Sequence, residues 1–352
     1  MPAVAETFSL GAPVEIGRID KELKKLWAQG EGVMTRASLI NLAVYSDQPD
    51  SLGQNTKLIS QLTENHACRA IVIEADSAAK QNQAEAWISA HCHVSRAGSR
   101  QICSEQLSFR LGGPCTSLLP SIVFSHLDSD LPFYLWWQTD FRAPIDPYFW
   151  SWVDHLIYDS HTWKDYKGQL ELVETARREA DQRIVLCDLN WTRLDKLRAA
   201  VAQFFDPPAA HHHFSKIEKI AISHGPGYRS TAVLLAGWIA AQLKWRADSK
   251  ASKGELRFRN DTDKQVTVAI QEKDGQPIGE VSLESGATTF AVKHAAGADL
   301  FEVSRHDGGE QRLNQLMPAG NNDVVGLLSD QLMRGGPHAV YLRVIDCIRS
   351  LI

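Results

Sequence analysis

The sequence has no run of five or more like charges, no C-x-x-C pair and no apolar stretch long enough to cross a bilayer. Each absence removes a class of function. With 37 basic and 42 acidic side chains, formal net charge −5, there is no basic footprint for a polyanion. The densest basic stretch, Lys244 to Arg259, is interrupted by Asp248 and Glu255 and reads as a solvated linker. Nucleic acid is therefore not an expected partner. The six cysteines lie far apart, so zinc-ribbon and thioredoxin-like motifs are absent and reduced thiols are expected. The longest apolar run, Thr231 to Ala241, is about half the ~20 residues a spanning helix needs. Met1 to Pro13 carries Glu6 and no basic residue, unlike a secretory signal, so the expected location is cytoplasmic, with no membrane partner. G-x-S-x-G, H-E-x-x-H and kinase signatures are missing as well. No catalytic residue, metal site or cofactor is assigned.

What is present is an ordinary globular composition, 44% hydrophobic and 22% charged over 352 residues, a length that favours two domains. An amphipathic helix over Ile16 to Trp27 opens the chain. A strand over Ala37 to Tyr45, a helix around Leu58 to Leu62 and a buried strand at Ala70 to Ile73 then suggest a crossover unit. A helix over Gln83 to Ala90, a strand over Gln101 to Arg110 and a strand over Ser121 to Phe124 follow, with further strands at Phe133 to Trp137, His155 to Tyr158 and Arg183 to Cys187. After a helix ended by Asp206-Pro207-Pro208 come a strand over Ile217 to Ser223 and a buried helix over Ser230 to Trp245. From Glu255 to Arg305, short alternating segments separated by turn residues predict an antiparallel meander, and two helices near Asp323 to Met333 and His338 to Ser350 close the chain. The fold class is α/β. It combines a mixed sheet flanked by helices in the N-terminal domain, residues 1–176, with α/β elements, an antiparallel meander and terminal helices in an α+β domain, residues 177–352.

Three constellations stand out. His224-Gly225-Pro226-Gly227-Tyr228-Arg229-Ser230 joins a strand to a helix, so the helix's first amides, with Gly225, Gly227, Arg229 and Ser230, could hold an anion. It lacks the third glycine of a dinucleotide fingerprint, its downstream acid and the lysine of a P-loop, and a plain tight turn is the preferred reading. His211-His212-His213 and the His91/His93 pair lack further ligands at metal spacing and read as solvated or hydrogen-bonded histidines. Ten aromatic residues fall between Trp136 and Tyr166. Core packing accounts for many of them, yet Trp and Tyr also anchor protein interfaces. Trp136, Trp137, Trp150 and Trp152, with Asn190 and Trp191 further on, are therefore the candidates for contact with a protein partner.

Several blocks carry a family resemblance: Thr35-Arg36-Ala37-Ser38-Leu39-Ile40-Asn41-Leu42, His66-Ala67-Cys68-Arg69-Ala70-Ile71-Val72-Ile73, Cys103-Ser104-Glu105-Gln106 and Leu131-Pro132-Phe133-Tyr134-Leu135-Trp136-Trp137. Asp154-His155-Leu156-Ile157-Tyr158-Asp159-Ser160, Asp188-Leu189-Asn190-Trp191-Thr192-Arg193-Leu194 and Gln203-Phe204-Phe205-Asp206 continue them in order. Together they resemble the OpcA family of glucose-6-phosphate dehydrogenase assembly proteins. The resemblance implies a non-catalytic protein that binds glucose-6-phosphate dehydrogenase, favours its active oligomer and supports the oxidative pentose phosphate pathway. The alternative from the residues alone is a phosphosugar-binding sensor or enzyme built on the Gly225 to Arg229 loop.

Overall fold

The computed structural model describes residues 10–29, 34–94, 101–252, 254–320, 322–336 and 338–351. Residues 1–9, which carry much of the reading against a secretory signal, and Lys253 in the basic stretch lie outside the described residues. The chain forms two compact units. The first comprises Met1–Tyr158, Glu171–Cys187 and Leu328–Gly335, and the second Asp159–Leu170, Asp188–Leu327 and Gly336–Ile352.

The first unit is built on a sheet of β1 (Ala12–Val14), β2 (Met34–Arg36), β3 (Ile40–Ser46), β4 (Cys68–Asp76), β5 (Gln83–Val94), β6 (Gln101–Gly112), β7 (Phe133–Trp137), β8 (His155–Tyr158) and β9 (Val185–Asp188), in the order β1-β5-β6-β4-β3-β7-β8-β9 with β2 beside β6. β6, β4, β3, β7 and β8 run parallel. Leu42, Ala43, Val44 and Ala70 to Ile73 have no exposed surface, as a sheet covered on both faces requires. The covering helices include α1 (Ile19–Gln29), α2 (Ser51–Leu62), α3 (Leu119–His126) and α4 (Pro147–Trp150). Asn41 pins the loop before β7, donating to the carbonyls of Asp128 and Leu131 at 2.9 and 3.0 Å and accepting from Asp128 N at 2.9 Å.

Two sequence expectations are corrected in this unit. Gln83 to Ala90 is part of strand β5, not a helix: Ala86 and Ile88 alternate inward and the segment pairs along its whole length with β6, so sheet pairing overrides the alanines' helical preference. Ser121 to Phe124 is helix α3, not a strand, with a proline in its first turn where no N–H is needed. The expectation that all six cysteines are reduced is also corrected. Cys92 and Cys103 face each other in the β5–β6 register and form a disulfide, while Cys68, Cys115, Cys187 and Cys347 are not bridged.

The second unit has an eight-stranded sheet of β10 (Ile217–His224), β11 (Arg246–Ser252), β12 (Glu255–Arg259), β13 (Gln265–Glu272), β14 (Ile278–Ser285), β15 (Thr288–His294), β16 (Leu300–Asp307) and β17 (Glu310–Pro318), ordered β11-β12-β13-β10-β14-β15-β16-β17. β10 is parallel to β13 and antiparallel to β14, and the rest form the expected meander. The stretch read as a solvated linker is an edge hairpin, β11–β12, whose Arg246 and Arg259 pair with Asp263 and Asp248. The chain's remaining helices are α5 (Tyr166–Glu179), α6 (Leu189–Thr192), α7 (Asp195–Ala202), α8 (Arg229–Gln242), α9 (Val324–Arg334) and α10 (Ala339–Ile348). α8 is apolar and almost wholly buried, and α10 packs against it at Gly237, where a Cβ would lie 2.2 Å from Ile348 Cγ2. Only glycine permits that approach.

Candidate functional site

In the first unit the strand order reverses between β3 and β7. A crevice at the carboxyl ends of strands on either side of such a reversal is where doubly wound folds hold a ligand, and in dinucleotide-binding domains the pyrophosphate sits on the first helix's amides. Here that helix is α2, and the place is taken from within. Glu74, at the end of β4, accepts from Leu52 N at 3.0 Å and from Ser51 Oγ at 3.4 Å, and its other oxygen takes Arg110 Nε at 2.8 Å. Asn55 and Gln138 exchange two amide hydrogen bonds, at 2.9 and 2.8 Å, across from α2 to the chain after β7, and Arg142 pairs with Asp47 at 2.7 Å. Asp47, Asp50 and Asp76 join Glu74 around a cavity of about 210 Å³. A pyrophosphate would meet a helix end already bonded to Glu74 and four carboxylates against one lining cation, Arg110, which Glu74 holds, so these residues fit a dinucleotide's phosphates poorly.

The aromatic candidates of this unit divide sharply. Trp136 and Trp150 are buried, and Trp137 is half-buried, stacked on Tyr45 with ring centroids 4.1 Å apart and packed against Phe141 and Trp150. Trp152 is different. It is 49% exposed and Tyr148 is 63% exposed, both packed on Phe124 at 4.9 and 5.6 Å. These three rings form an apolar surface cluster.

In the second unit, two sets of residues nominated separately from sequence meet. Asn190 is fully buried beneath the first turn of α8. Its amide donates to Ser160 Oγ at 3.1 Å and Ser230 Oγ at 3.2 Å, and its carbonyl accepts from Thr231 Oγ1 at 2.5 Å and Arg193 Nη1 at 3.3 Å. The N-cap of α6 is Asp188, which accepts from Asn190 N, Ser160 N, Ser160 Oγ and Tyr341 Oη. Complete burial, with Asp159 nearby, pushes its pKa up to about 6. Burial acts in the same sense on Asp159, but hydrogen bonds from His161 and Arg193 outweigh it and hold that carboxyl at about 2. Trp191 is buried, with Tyr341 at 5.6 Å and the Arg198 guanidinium over its ring.

Gly225 donates to Gln276 O, and a Cβ there would stand 2.9 Å from two carbonyl oxygens. Gly227 has φ +83°, and Tyr228 N closes the turn onto Gly225 O at 3.1 Å. Arg229 starts α8 and is exposed. Sequence reasoning missed the residues that face this turn, His161, Lys164, Tyr166 and Lys167, because they lie about sixty positions upstream. The histidines set aside as metal ligands are hydrogen-bonded: His91 to Gln106, His93 to Thr63, His212 to Ala209 O and His213 to Ser285. Among the described residues no three His, Cys, Asp or Glu side chains are grouped to hold a metal, and no helix is long and apolar enough to cross a membrane.

Fold and crevice together define a mixed α/β protein whose first unit has the strand order of a dinucleotide-binding domain, with its own carboxylate, Glu74, bonded to the first turn of the helix after β3. Residues 59–175 match the glucose-6-phosphate dehydrogenase subunit N-terminal domain family and residues 184–345 the corresponding C-terminal domain family. The chain belongs to the OpcA family. It is 23% identical over 316 residues to a protein of Synechocystis sp. described as an OxPP cycle protein OpcA, covering 83% of this chain and 65% of that one, so it spans less than two thirds of that relative's length. Similar solved structures include an aldose-aldose oxidoreductase from Caulobacter crescentus, at 8% identity and TM-score 0.47, covering 89% of this chain and 96% of that one. A dehydrogenase from Clostridium difficile is similar at 10% identity and TM-score 0.44, covering 89% and 97%.

Proposed function

We propose that this chain is a non-catalytic partner of glucose-6-phosphate dehydrogenase that binds the enzyme in the cytoplasm and favours its active oligomer. The observation that supports the non-catalytic half is the acidic crevice: Glu74 bonds the first turn of α2, whose amides a dinucleotide's phosphates would need. The family's description as a glucose-6-phosphate dehydrogenase subunit supports the choice of partner. The contact surface is the exposed Phe124–Tyr148–Trp152 cluster, since large exposed aromatics are the side chains that dominate interface energies. Trp136, Trp150 and Trp191 are buried and serve the cores of their own units. By linkage, whichever oligomer this protein binds more tightly is the one it populates, and a substrate favouring the same oligomer tightens the complex.

The test is co-elution of the purified chain with the dehydrogenase, with enzyme activity measured in its presence and absence. Trp152→Ala is expected to weaken the complex by at least tenfold, about 1.4 kcal/mol or more, while leaving the chain's own thermal midpoint nearly unchanged. Intact binding by Trp152→Ala and Tyr148→Ala would remove this surface from the interface. NADP-dependent turnover by the chain alone would end the non-catalytic reading.

A further inference from the structure

The second unit has a cavity lined by cations that no internal anion satisfies. It has a volume of about 360 Å³ and is enclosed by residues 161–167 on one side and by the turn and first residues of α8 on the other. Lys164, Lys167 and Arg229 reach it from these two segments, are exposed, and form no ion pair among the described residues. Asp165 also lines it, but its carboxylate is engaged as a helix cap, accepting from Gly168 N at 3.0 Å.

The polar groups behind the cations are donors. Tyr228, the N-cap of α8, gives no side-chain cap, so the first amides of a 14-residue helix are left without one. Ser230 Oγ accepts from Asn190, which leaves its O–H to donate. Tyr166 lines the cavity as well, with its hydroxyl buried beside Ser160 and Asp188. His161 is oriented by Asp159, 2.8 Å from its Nδ1, which is in turn held by Arg193, and its ring stacks on Tyr228 at 4.9 Å. Trp163 and Val233 supply an apolar wall.

We propose that this cavity binds a small phosphorylated metabolite, its phosphate monoester seated on the first turn of α8 between Arg229, Lys164 and Lys167, and its hydroxylated body against His161 and Trp163. A tetrahedral dianion is the ligand that this set matches, since it offers several acceptor oxygens to cations and amides converging from different directions. The volume lies at the small end of ligand sites and suits a metabolite rather than a polymer. The site lies wholly within the second unit and does not depend on the partner reading above.

Calorimetric titration of the purified full chain with inorganic phosphate, a hexose 6-phosphate and the unphosphorylated hexose tests the assignment. Saturable binding of the hexose phosphate is expected, about tenfold tighter than inorganic phosphate, with none for the free hexose. Lys164→Ala, Lys167→Ala and Arg229→Ala should each weaken it roughly tenfold, and the triple variant should abolish it. Because all three side chains are exposed, the variants should fold, and an unchanged melting curve without ligand checks that they do. No saturable binding of either anion up to about 10 mM, or undiminished binding by the triple variant, would overturn the site. Inorganic phosphate binding as tightly as the hexose phosphate would overturn the sugar body and leave a phosphate site.

Discussion

Each unit of this protein presents the N-terminus of a helix that follows a sheet strand, and the two ends are treated in opposite ways. At α2 the chain brings its own carboxylate, Glu74, to the amide of Leu52 and rings it with further acids. At α8 it brings no side-chain cap, and places three cations around the opening instead. A helix end carries about half a positive charge and unsatisfied donors, so something must answer it. An internal answer closes the position to ligands; an open one, with added positive charge, leaves it for an anion from solution. The same backbone feature thus argues against phosphate binding in one unit and for it in the other.

The comparison can be broken most directly at Glu74. Glu74→Ala should cost about 2 kcal/mol in urea-derived unfolding free energy, because it removes the cap of α2 and the nearer of Arg110's two carboxylate partners, leaving Glu85 at 3.8 Å. It should confer no phosphate binding, since Asp47, Asp50 and Asp76 remain. A loss below about 1 kcal/mol would mean that Glu74 does not hold this helix end. A comparable effect lies under α8. Asp159 has a pKa of about 2 in the folded chain, below its ordinary value of 3.8, so its contribution is complete above pH 4 and lost as pH falls through 2. Between those limits the wild type should lose about 2 kcal/mol more than Asp159→Asn, read from stability curves at each pH. The smallest effect sharpens the contrast: Arg229→Ala should change stability by less than about 0.5 kcal/mol, as befits a side chain committed to nothing inside the protein.

What could be read from the sequence follows physical lines. The meander and the helices at 324–334 and 339–348 were legible because their apolar periods are regular and their ends are marked by turn residues, and the helix at 229–242 because its apolar run is too long for a strand. β5 was not, because alanines at alternate positions carry no strand signal until β6 is placed beside them. The Cys92–Cys103 bridge was hidden for the same reason: eleven positions apart, the two are neighbours only in the register of a hairpin. At the candidate site the turn at Gly225 to Ser230 was visible, but Lys164, Lys167 and Tyr166 were not, since no local rule joins segments that only tertiary folding brings together. Asn190 was picked out beside Trp191 as a surface candidate, and the structure instead makes it the buried strut beneath Ser230 and Thr231.

Neither unit is one continuous stretch of chain, because the path passes between them at 158/159, 170/171, 187/188, 327/328 and 335/336. Proteins with contiguous domains can finish the first while the ribosome is still making the second. Here the first unit waits for Leu328–Gly335, which arrive only after almost all of the second has been synthesised. Until then the place that buries Leu328 stays open, and a nascent chain that stops before residue 328 would contain no complete unit.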